Sequence, residues 1–258
     1  MKNKHKEFAE KHYGKTPIKL DEMGGTDRYK QILNTFSMYS SQHNVKRILD
    51  IGCGNGNFSV LLKEASNAKE AYGIELSEKG VEMAKKNGVE AFQLDIDEDG
   101  FPFEDDYFDA IFAGEVIEHL FDPDHLLEEC YRILNPDGIF VLTTRNLSSL
   151  YNRITLFLGY QPFSTSVSLK HNVGRPFEVS DEILGDHIRV FTYRAMRELL
   201  GLSKFEIVGV KGTTSVLPEK KNLFLSVVRL MDRILSKFPS LSQGFIFVSR
   251  KKQRRDEQ

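Results

Sequence analysis

A short glycine-rich segment constrains this chain more than any other feature. Residues 47–59 read Arg-Ile-Leu-Asp-Ile-Gly-Cys-Gly-Asn-Gly-Asn-Phe-Ser, so an apolar strand core runs into glycines at three alternate positions. A helical pattern follows directly. Glycine allows a turn this tight and lets a ligand come close to the backbone. The segment therefore predicts a strand, a tight turn and a helix that together bind a nucleotide-like ligand.

The spacing of these glycines argues against a dinucleotide site. The dinucleotide fingerprint is G-x-G-x-x-G, and its last glycine would fall at position 57. That position is Asn57. A dehydrogenase therefore fits the segment poorly.

Further strands and helices alternate along the chain. The second strand ends in the carboxylate Glu75, about 20 residues after the glycines, where nucleotide-binding α/β folds place the acid that binds ribose hydroxyls. Such alternation predicts a parallel sheet with helices on both faces. Strands are expected near 47–52, 70–76, 89–95, 108–114, 138–144, 205–210 and 245–249, and helices near 57–66, 78–87, 122–134 and 192–200.

Taken in order, these landmarks resemble the class I S-adenosylmethionine (SAM)-dependent methyltransferases, in particular the type 11/12 and ubiquinone-pathway O-methyltransferase group. The resemblance implies an α/β fold with a Rossmann-like, mostly parallel seven-stranded sheet, an N-terminal helical cap and a lid inserted after strand five. It also implies SAM as cofactor, with Glu75 on the ribose and Asp95 at the adenine amino group. The expected cofactor-binding residues are Asp50, Gly52, Cys53, Gly54, Asn55, Gly56, Glu75, Leu76, Asp95, Ile96 and Gly114.

Two carboxylates and an imidazole follow strand four, at the sheet edge where ligands bind. Glu115, Glu118 and His119 are three and four residues apart, so a helix would place them on one face. These donors suit a divalent cation such as Mg²⁺. Their E-x-x-E-H pattern resembles that of ubiquinone-pathway O-methyltransferases and of small-RNA 2′-O-methyltransferases, where a metal holds acceptor hydroxyls. Helix capping or simple lining of the cleft are the alternatives.

His187 is a second candidate catalytic residue, beside His119 and Glu115. It closes the long segment after strand five, where the resembling families often carry a histidine near the acceptor. Imidazole could take a proton from an acceptor hydroxyl or complete a metal site. A loop histidine bonded to Asp186, or one that caps the next helix, is the competing interpretation.

The amino-acid composition limits the classes of binding partner and the cellular location that we expect. The 258 residues carry a formal net charge of −2, which is no signature of nucleic-acid binding. The two cysteines favour a reducing compartment over a disulfide scaffold, and Cys53 is interpreted as a small turn residue. No apolar run reaches the length of a membrane span, so the expected location is the cytoplasm.

The chain divides into three predicted parts: a helical cap over 1–44, a methyltransferase domain over 45–251 and a charged tail over 252–258. Residues 145–190 form an insertion far longer than ordinary connections, which is typical of a lid. Residues 221–238 form a basic amphipathic helix. Packing of its apolar stripe on the sheet is favoured over contact with a membrane surface.

The resulting functional hypothesis is methyl transfer from SAM to a small-molecule or lipid-linked acceptor, at oxygen. The chain lacks the Asn/Asp-Pro-Pro-Tyr motif of amino-directed nucleic-acid methyltransferases, and position 114–117 reads Gly-Glu-Val-Ile. The alternatives are a metal-dependent RNA 2′-O-methyltransferase and a catalytically silent SAM-binding partner protein.

Overall fold

All seven expected strands form, and the fifth begins at Leu134, four residues before its expected start near 138. The computed structural model describes residues 26–165, 167–168, 171, 173–175, 187–214 and 223–252. Within these, the strands are β1 (Arg47–Ile51), β2 (Glu70–Glu75), β3 (Glu90–Gln93), β4 (Phe108–Gly114), β5 (Leu134–Arg145), β6 (Phe205–Thr213) and β7 (Gly244–Lys251). The helices are α1 (Thr26–Ser40), α2 (Asn57–Ser66), α3 (Glu78–Lys86), α4 (Pro123–Ile133), α5 (Leu150–Phe157), α6 (Tyr193–Leu202) and α7 (Leu223–Leu235), with a 3₁₀ turn over Ile117–His119.

The strand order is β3-β2-β1-β4-β5-β7-β6, and the sheet is open. β7 runs antiparallel to both of its neighbours, while β1 to β5 pair in parallel. The order reverses between β1 and β4, which is the switch point where open α/β sheets bind ligands. The predicted Rossmann-like, mostly parallel seven-stranded sheet is confirmed.

Helices cover both faces because alternate side chains of each strand point to opposite sides. On β4, Ile111 packs in one core and Phe112 in the other. The first core includes Leu126 of α4 and Met196 of α6. The second includes Phe36 of α1, together with residues of α2 and α3. The structure therefore has helices on both faces, as the alternating pattern predicts.

Capping residues at the starts of two helices fix where the chain turns at the carboxyl edge of the sheet. The Ser77 hydroxyl accepts a hydrogen bond from the Gly80 amide and so caps α3. The Asp122 carboxylate caps α4 in the same way, with Pro123 at the first helical position. These caps fix the loops that follow β2 and β4.

Parts of the domain prediction fall outside the described residues. Of the expected cap over 1–44, the structure describes α1 and the segment that leads to β1. Of the 145–190 insertion, it describes α5, residues 158–165 and a few later positions. The tail beyond Lys252 is likewise outside. Both the cap and the lid stay predictions.

The prediction for the amphipathic helix is wrong. On α7, Val227, Leu230, Met231 and Ile234 are exposed, whereas Asp232 is buried. The helix therefore turns its apolar stripe outward instead of onto the sheet. None of the helices described here is both long and apolar enough to cross a bilayer.

Candidate active site

The glycine loop between β1 and α2 has the predicted tight geometry. Gly52, Gly54 and Gly56 all have positive φ angles, of 74°, 55° and 78°. L-residues with a side chain rarely adopt this conformation. A Cβ on Gly52 would lie 2.6 Å from Cγ2 of Val116, so the loop runs directly against the segment that follows β4. The glycine loop and the polar residues after β4 therefore share one cleft.

Glu75 ends β2 and braces this loop. Its side chain is buried, and Oε2 accepts a hydrogen bond from the Gly54 amide at 3.0 Å. Oε1 accepts one from the Ser77 amide at 2.8 Å. A carboxylate oxygen has a second lone pair, so each oxygen can also accept a hydroxyl. The site therefore fits the ribose of SAM.

Asp50 lies beneath the loop rather than in the cleft. It is buried on β1, and Ser59 Oγ of α2 donates a hydrogen bond to Asp50 Oδ2 at 2.5 Å. Burial raises the pKa of Asp50 to about 7. The hydrogen bond from Ser59 opposes this rise, and the charge of Glu75 adds to it. The observed contact of Asp50 ties β1 to α2.

The other expected cofactor residues surround the same edge. Cys53 packs its buried sulfur against Gly73, and burial raises the pKa of its thiol well above the ordinary value. This supports a turn residue and not a nucleophile. Asp95 follows β3 and accepts a hydrogen bond from the Asp97 amide at 3.1 Å. The remaining positions are Asn55 in the loop, the half-buried Leu76 and Gly114, and the buried Ile96.

Glu115 does not join Glu118 and His119 on one helical face, so that expectation is wrong. The 3₁₀ turn begins only at Ile117, and Glu115 precedes it with a positive φ of 55°. Its carboxylate instead pairs with Arg28 of α1, and its Oε2 lies 3.6 Å from Nε of Arg145. Burial raises the pKa of Glu115, but the charges of both arginines outweigh burial and hold it below the ordinary value.

Glu118, His119 and His187 form the polar group that the structure brings together. One potential ligand atom from each lies within 4.8 Å of the others. The imidazole centroids of His119 and His187 are 4.9 Å apart. Residues 69 positions apart meet because the amides of Ile188 and Arg189 both donate to the Glu118 carbonyl at 2.9 Å. The sequence predicted a group of Glu115, Glu118 and His119, and in the structure His187 replaces Glu115 in that group.

Glu118 is the most unusual member of this group. It is 2% exposed, and Thr144 Oγ1 donates a hydrogen bond to its Oε2 at 2.8 Å. Its Oε1 has no hydrogen-bond partner among the described residues. Burial, reinforced by the charge of Glu115, raises the pKa of Glu118 to about 8. Such a carboxylate requires either a proton or a cation beside it.

The sequence analysis missed three residues of this cleft: Arg28, Thr144 and Arg145. Arg145 and Thr144 end β5 at the carboxyl edge of the sheet, so their position after an apolar strand could have identified them. Arg28 lies in α1, far from any motif, and reaches Glu115 across 87 residues of sequence. Only its position in the folded chain reveals it.

Comparison with known proteins agrees with this architecture. The family described as "Methyltransferase domain" matches residues 49–142. The 27-O-demethylrifamycin SV methyltransferase of Amycolatopsis mediterranei is 33% identical over 105 residues, 37% of this chain and 37% of that protein. A ubiquinone biosynthesis O-methyltransferase of Actinobacillus pleuropneumoniae is 31% identical over 111 residues, 39% of this chain and 46% of that protein. The chain thus spans less than half the length of these curated relatives.

A solved structure extends the likeness in fold to nearly the whole chain. The magnesium protoporphyrin IX methyltransferase of Synechocystis PCC 6803, solved with bound S-adenosylhomocysteine (SAH), has a TM-score of 0.61 at 14% identity. The match covers 98% of this chain and 100% of that one. At this identity it is evidence of fold alone. The family match and the glycine loop together identify a methyltransferase domain of the class I SAM-dependent type over residues 49–142.

Proposed function

We propose that the protein transfers the methyl group of SAM to an oxygen atom of a small-molecule or lipid-linked acceptor. The observation that carries this proposal is the Glu118–His119–His187 group beside the glycine loop. When bound, SAM supplies a methyl group already activated by a positive sulfur. The protein then has to position the acceptor and, for a hydroxyl, remove its proton.

His187 is suited to the proton transfer. Its Nδ1 lies 3.1 Å from the Ser164 carbonyl, which can only accept a hydrogen bond. A neutral His187 therefore carries its proton on Nδ1, and Nε2 is the basic nitrogen. In this tautomer Nε2 can take a proton from an acceptor hydroxyl or ligate a cation. Carboxylate and imidazole at one place suit an oxygen acceptor.

The same group fits a divalent cation, and its two imidazoles favour a transition metal over the Mg²⁺ expected from the sequence. Glu118, His119 and His187 would hold it, since Glu118 Oε1 is buried with no hydrogen-bond partner among the described residues. Thr144 would orient the carboxylate through its hydrogen bond to Oε2. Glu115, paired with Arg28, would stay outside the ligand set. The cation would orient acceptor oxygens next to the methyl donor.

The two curated relatives support an oxygen acceptor. One is named as an O-methyltransferase of ubiquinone biosynthesis, and the other for the acceptor 27-O-demethylrifamycin SV. The exposed aromatic Tyr160 and the half-buried Tyr151 and Phe163 supply apolar surface in the insertion. Such surface suits a ring or an acyl chain.

Methyl-labelled SAM tests the proposal. The protein is incubated with metabolite extracts, lipid extracts and RNA, and labelled products are identified by mass spectrometry. We expect label on oxygen of a small or lipid-linked molecule. Label only on RNA would favour the 2′-O-methyltransferase alternative. Tight SAH binding without any labelled product would favour a silent partner protein.

Chelation tests the cation. EDTA should lower methyl transfer by about tenfold or more, and a divalent ion, supplied in turn as Mg²⁺, Mn²⁺ and Zn²⁺, should restore it. Glu118→Gln and His187→Gln should abolish the rescue while SAH binding persists. His43→Gln, at an exposed histidine beyond α1, is the matched control. Activity indifferent to EDTA would leave His187 as a base without a cation.

A further inference from the structure

Two arginine side chains converge on one carboxylate beside the active-site residues, and a third arginine lies in the insertion that also carries His187. Arg28 pairs with Glu115, and Nε of Arg145 lies 3.6 Å from the same carboxylate. Arg175 belongs to the 145–190 insertion, and its Nη2 donates to the Thr165 carbonyl at 3.0 Å. Two positive charges thus face the Glu115 carboxylate, and Arg175 adds a third positive charge in the insertion.

Several of their nitrogens are buried without a hydrogen-bond acceptor. These are Nε of Arg28, Nε of Arg145 and Nη1 of Arg175, among the residues that the structure describes. The Arg28 side chain is 10% exposed. A buried donor left unsatisfied is costly, so native proteins nearly always provide a partner. The unmet donors point to an acceptor group that a ligand brings.

Contacts link this group to the proposed reaction site. Thr165, which holds Arg175, follows Ser164, whose carbonyl meets His187. Glu115 precedes Val116, which lies against Gly52 of the glycine loop. Burial, and then the charge of Arg145, lowers the pKa of Arg175. The positive charge of Arg145 therefore acts on Arg175.

We propose that Arg145 and Arg175, with Arg28 behind them, bind an anionic group of the methyl acceptor. The group is a carboxylate or a phosphate, which guanidinium forks recognise through paired hydrogen bonds. This inference rests on the proposed function, because it names the acceptor's class. The anion would satisfy the buried donors and relieve the repulsion between Arg145 and Arg175.

Calorimetric titration tests this subsite with benzoate and with inorganic phosphate as probes. The full chain is first saturated with SAH, so that binding of the cofactor product is measured separately. We expect at least one probe to bind and Arg175→Gln to weaken it by about tenfold or more, the loss of a charged hydrogen bond. Preference between the probes distinguishes a carboxylate from a phosphate. Arg47→Gln is the matched control, since Arg47 begins β1 at the opposite edge of the sheet.

The outcomes separate the two proposals. SAH binding with no binding of either probe, or with equal affinity in Arg175→Gln, would overturn the anion subsite and leave the methyltransferase proposal standing. Failure to bind SAH would overturn the proposed function and, with it, this acceptor subsite. Arg175 is half-buried at the surface, so its replacement should not unfold the protein.

A second inference rests on a different observation, the exposed apolar face of α7. Val227, Leu230, Met231 and Ile234 are spaced as one helical face, and each is 46–60% exposed. We call them the α7 apolar face. Monomeric proteins rarely leave such a face uncovered.

The neighbouring helix adds to this surface. The segment after α7 packs on the start of α5, where the Leu150 amide donates to the Leu241 carbonyl at 3.0 Å. At the other end of α5, Phe157 is 89% exposed and Leu158 is 61% exposed. The end of α5 therefore presents a second exposed apolar surface, on a helix whose start contacts the segment after α7.

Charge around these surfaces identifies the partner. Arg153, Arg233 and Lys237 are exposed on or next to these helices, and Arg233 also pairs with the exposed Asp27 of α1 at 3.3 Å. Asp232, the acidic residue in the described part of α7, is buried. Apolar side chains flanked by basic ones are typical of helices that lie on anionic bilayers. We infer that α7 and the end of α5 dock on an anionic membrane surface.

Vesicle sedimentation tests the docking. The full chain should sediment with phosphatidylcholine–phosphatidylglycerol vesicles, less with phosphatidylcholine alone, and less in high salt. Leu230→Glu should weaken sedimentation by about tenfold, the effect of one apolar side chain. Leu202→Glu is the matched control, because Leu202 is 82% exposed at the end of α6. Absence of sedimentation, equal effects of both variants, or a dimer in solution that Leu230→Glu dissolves would overturn the inference.

Discussion

Glu75 combines two tasks at the scale of a single residue. Its oxygens accept the Gly54 and Ser77 amides, and the same oxygens retain lone pairs for a ribose. The loop geometry therefore depends on one buried carboxylate, which we also expect to bind the ribose of SAM.

Replacing Glu75 should weaken cofactor binding. Glu75→Gln removes the charge and one of the two acceptor oxygens, so SAH binding should lose about 1.5–3 kcal/mol. Calorimetric titration of the variant with SAH measures this loss. Glu78→Gln, at an exposed residue in the first turn of α3, should bind as the unmodified protein does. Unchanged affinity in Glu75→Gln would contradict the ribose assignment.

Asp50 should make stability depend on pH. Because burial raises its pKa to about 7, the folded chain holds this proton more tightly than the unfolded chain. The contribution is fully present below the ordinary carboxyl pKa, near 4, and is lost as the pH rises through 7. At about 1.4 kcal/mol per pKa unit, the loss is of the order of 4 kcal/mol.

Asp50→Asn tests this dependence, since asparagine keeps an acceptor for the Ser59 hydroxyl and cannot ionise. Urea unfolding without ligand should show the variant gaining stability relative to the unmodified protein between pH 5 and pH 8. Asp109→Asn, at a half-buried carboxylate on the adjacent strand, is the control. Parallel pH profiles for the unmodified protein and Asp50→Asn would contradict the raised pKa.

At the scale of elements, two glycines differ in whether a side chain would collide with a neighbouring helix. Gly56 has a positive φ, and a Cβ there would lie 2.9 Å from Cα of Ala84 in α3. Gly88 has a similar φ of 82°, yet a Cβ there would meet nothing within 4 Å. A side chain would therefore strain the backbone at both positions, but it would be sterically crowded only at Gly56.

Gly56→Ala should destabilise the protein more than Gly88→Ala does. The left-handed backbone costs about 1–2 kcal/mol in both variants, and crowding adds about 1–3 kcal/mol at Gly56 alone. Urea unfolding of the two variants gives the difference directly. Equal destabilisation would mean that α3 moves away without cost.

The elements themselves were largely predictable. Strands β1, β2 and β4 begin and end within about two residues of the expected positions because each is an apolar run bounded by polar or glycine residues. β3 ends early, at Gln93, because Asp95 begins a turn held by the Asp97 and Asp99 contacts. The α7 apolar face was misjudged because periodicity shows which residues share a face but not what covers that face.

At the scale of the whole molecule, Arg28 and Glu115 join α1 to the active-site edge of the sheet. Both side chains lie largely out of solvent, and the charge of Arg28 offsets burial at Glu115. Breaking one partner of such a pair leaves an uncompensated charge. This ion pair therefore connects α1 with the segment that follows β4.

A double-mutant cycle measures this connection. Arg28→Met and Glu115→Gln should each destabilise the protein by about 3 kcal/mol, and the double variant by clearly less than their sum. Unfolding in urea at pH 7 supplies the energies. Arg250→Met with Glu206→Gln, an exposed ion pair between β6 and β7, should give a coupling of about 1 kcal/mol or less. Additive effects at Arg28 and Glu115 would contradict a direct pair.

The amino-acid sequence alone determined the sheet, the glycine loop, the carboxylate at Glu75 and the class of cofactor. These features depend on contacts within a few residues, such as strand alternation and a turn that requires glycine. Tertiary structure decided which polar side chains meet: His187 with Glu118 and His119, and Glu115 with Arg28 and Arg145. Such meetings depend on where the insertion and α1 fold back onto the sheet, and no local pattern encodes that distance.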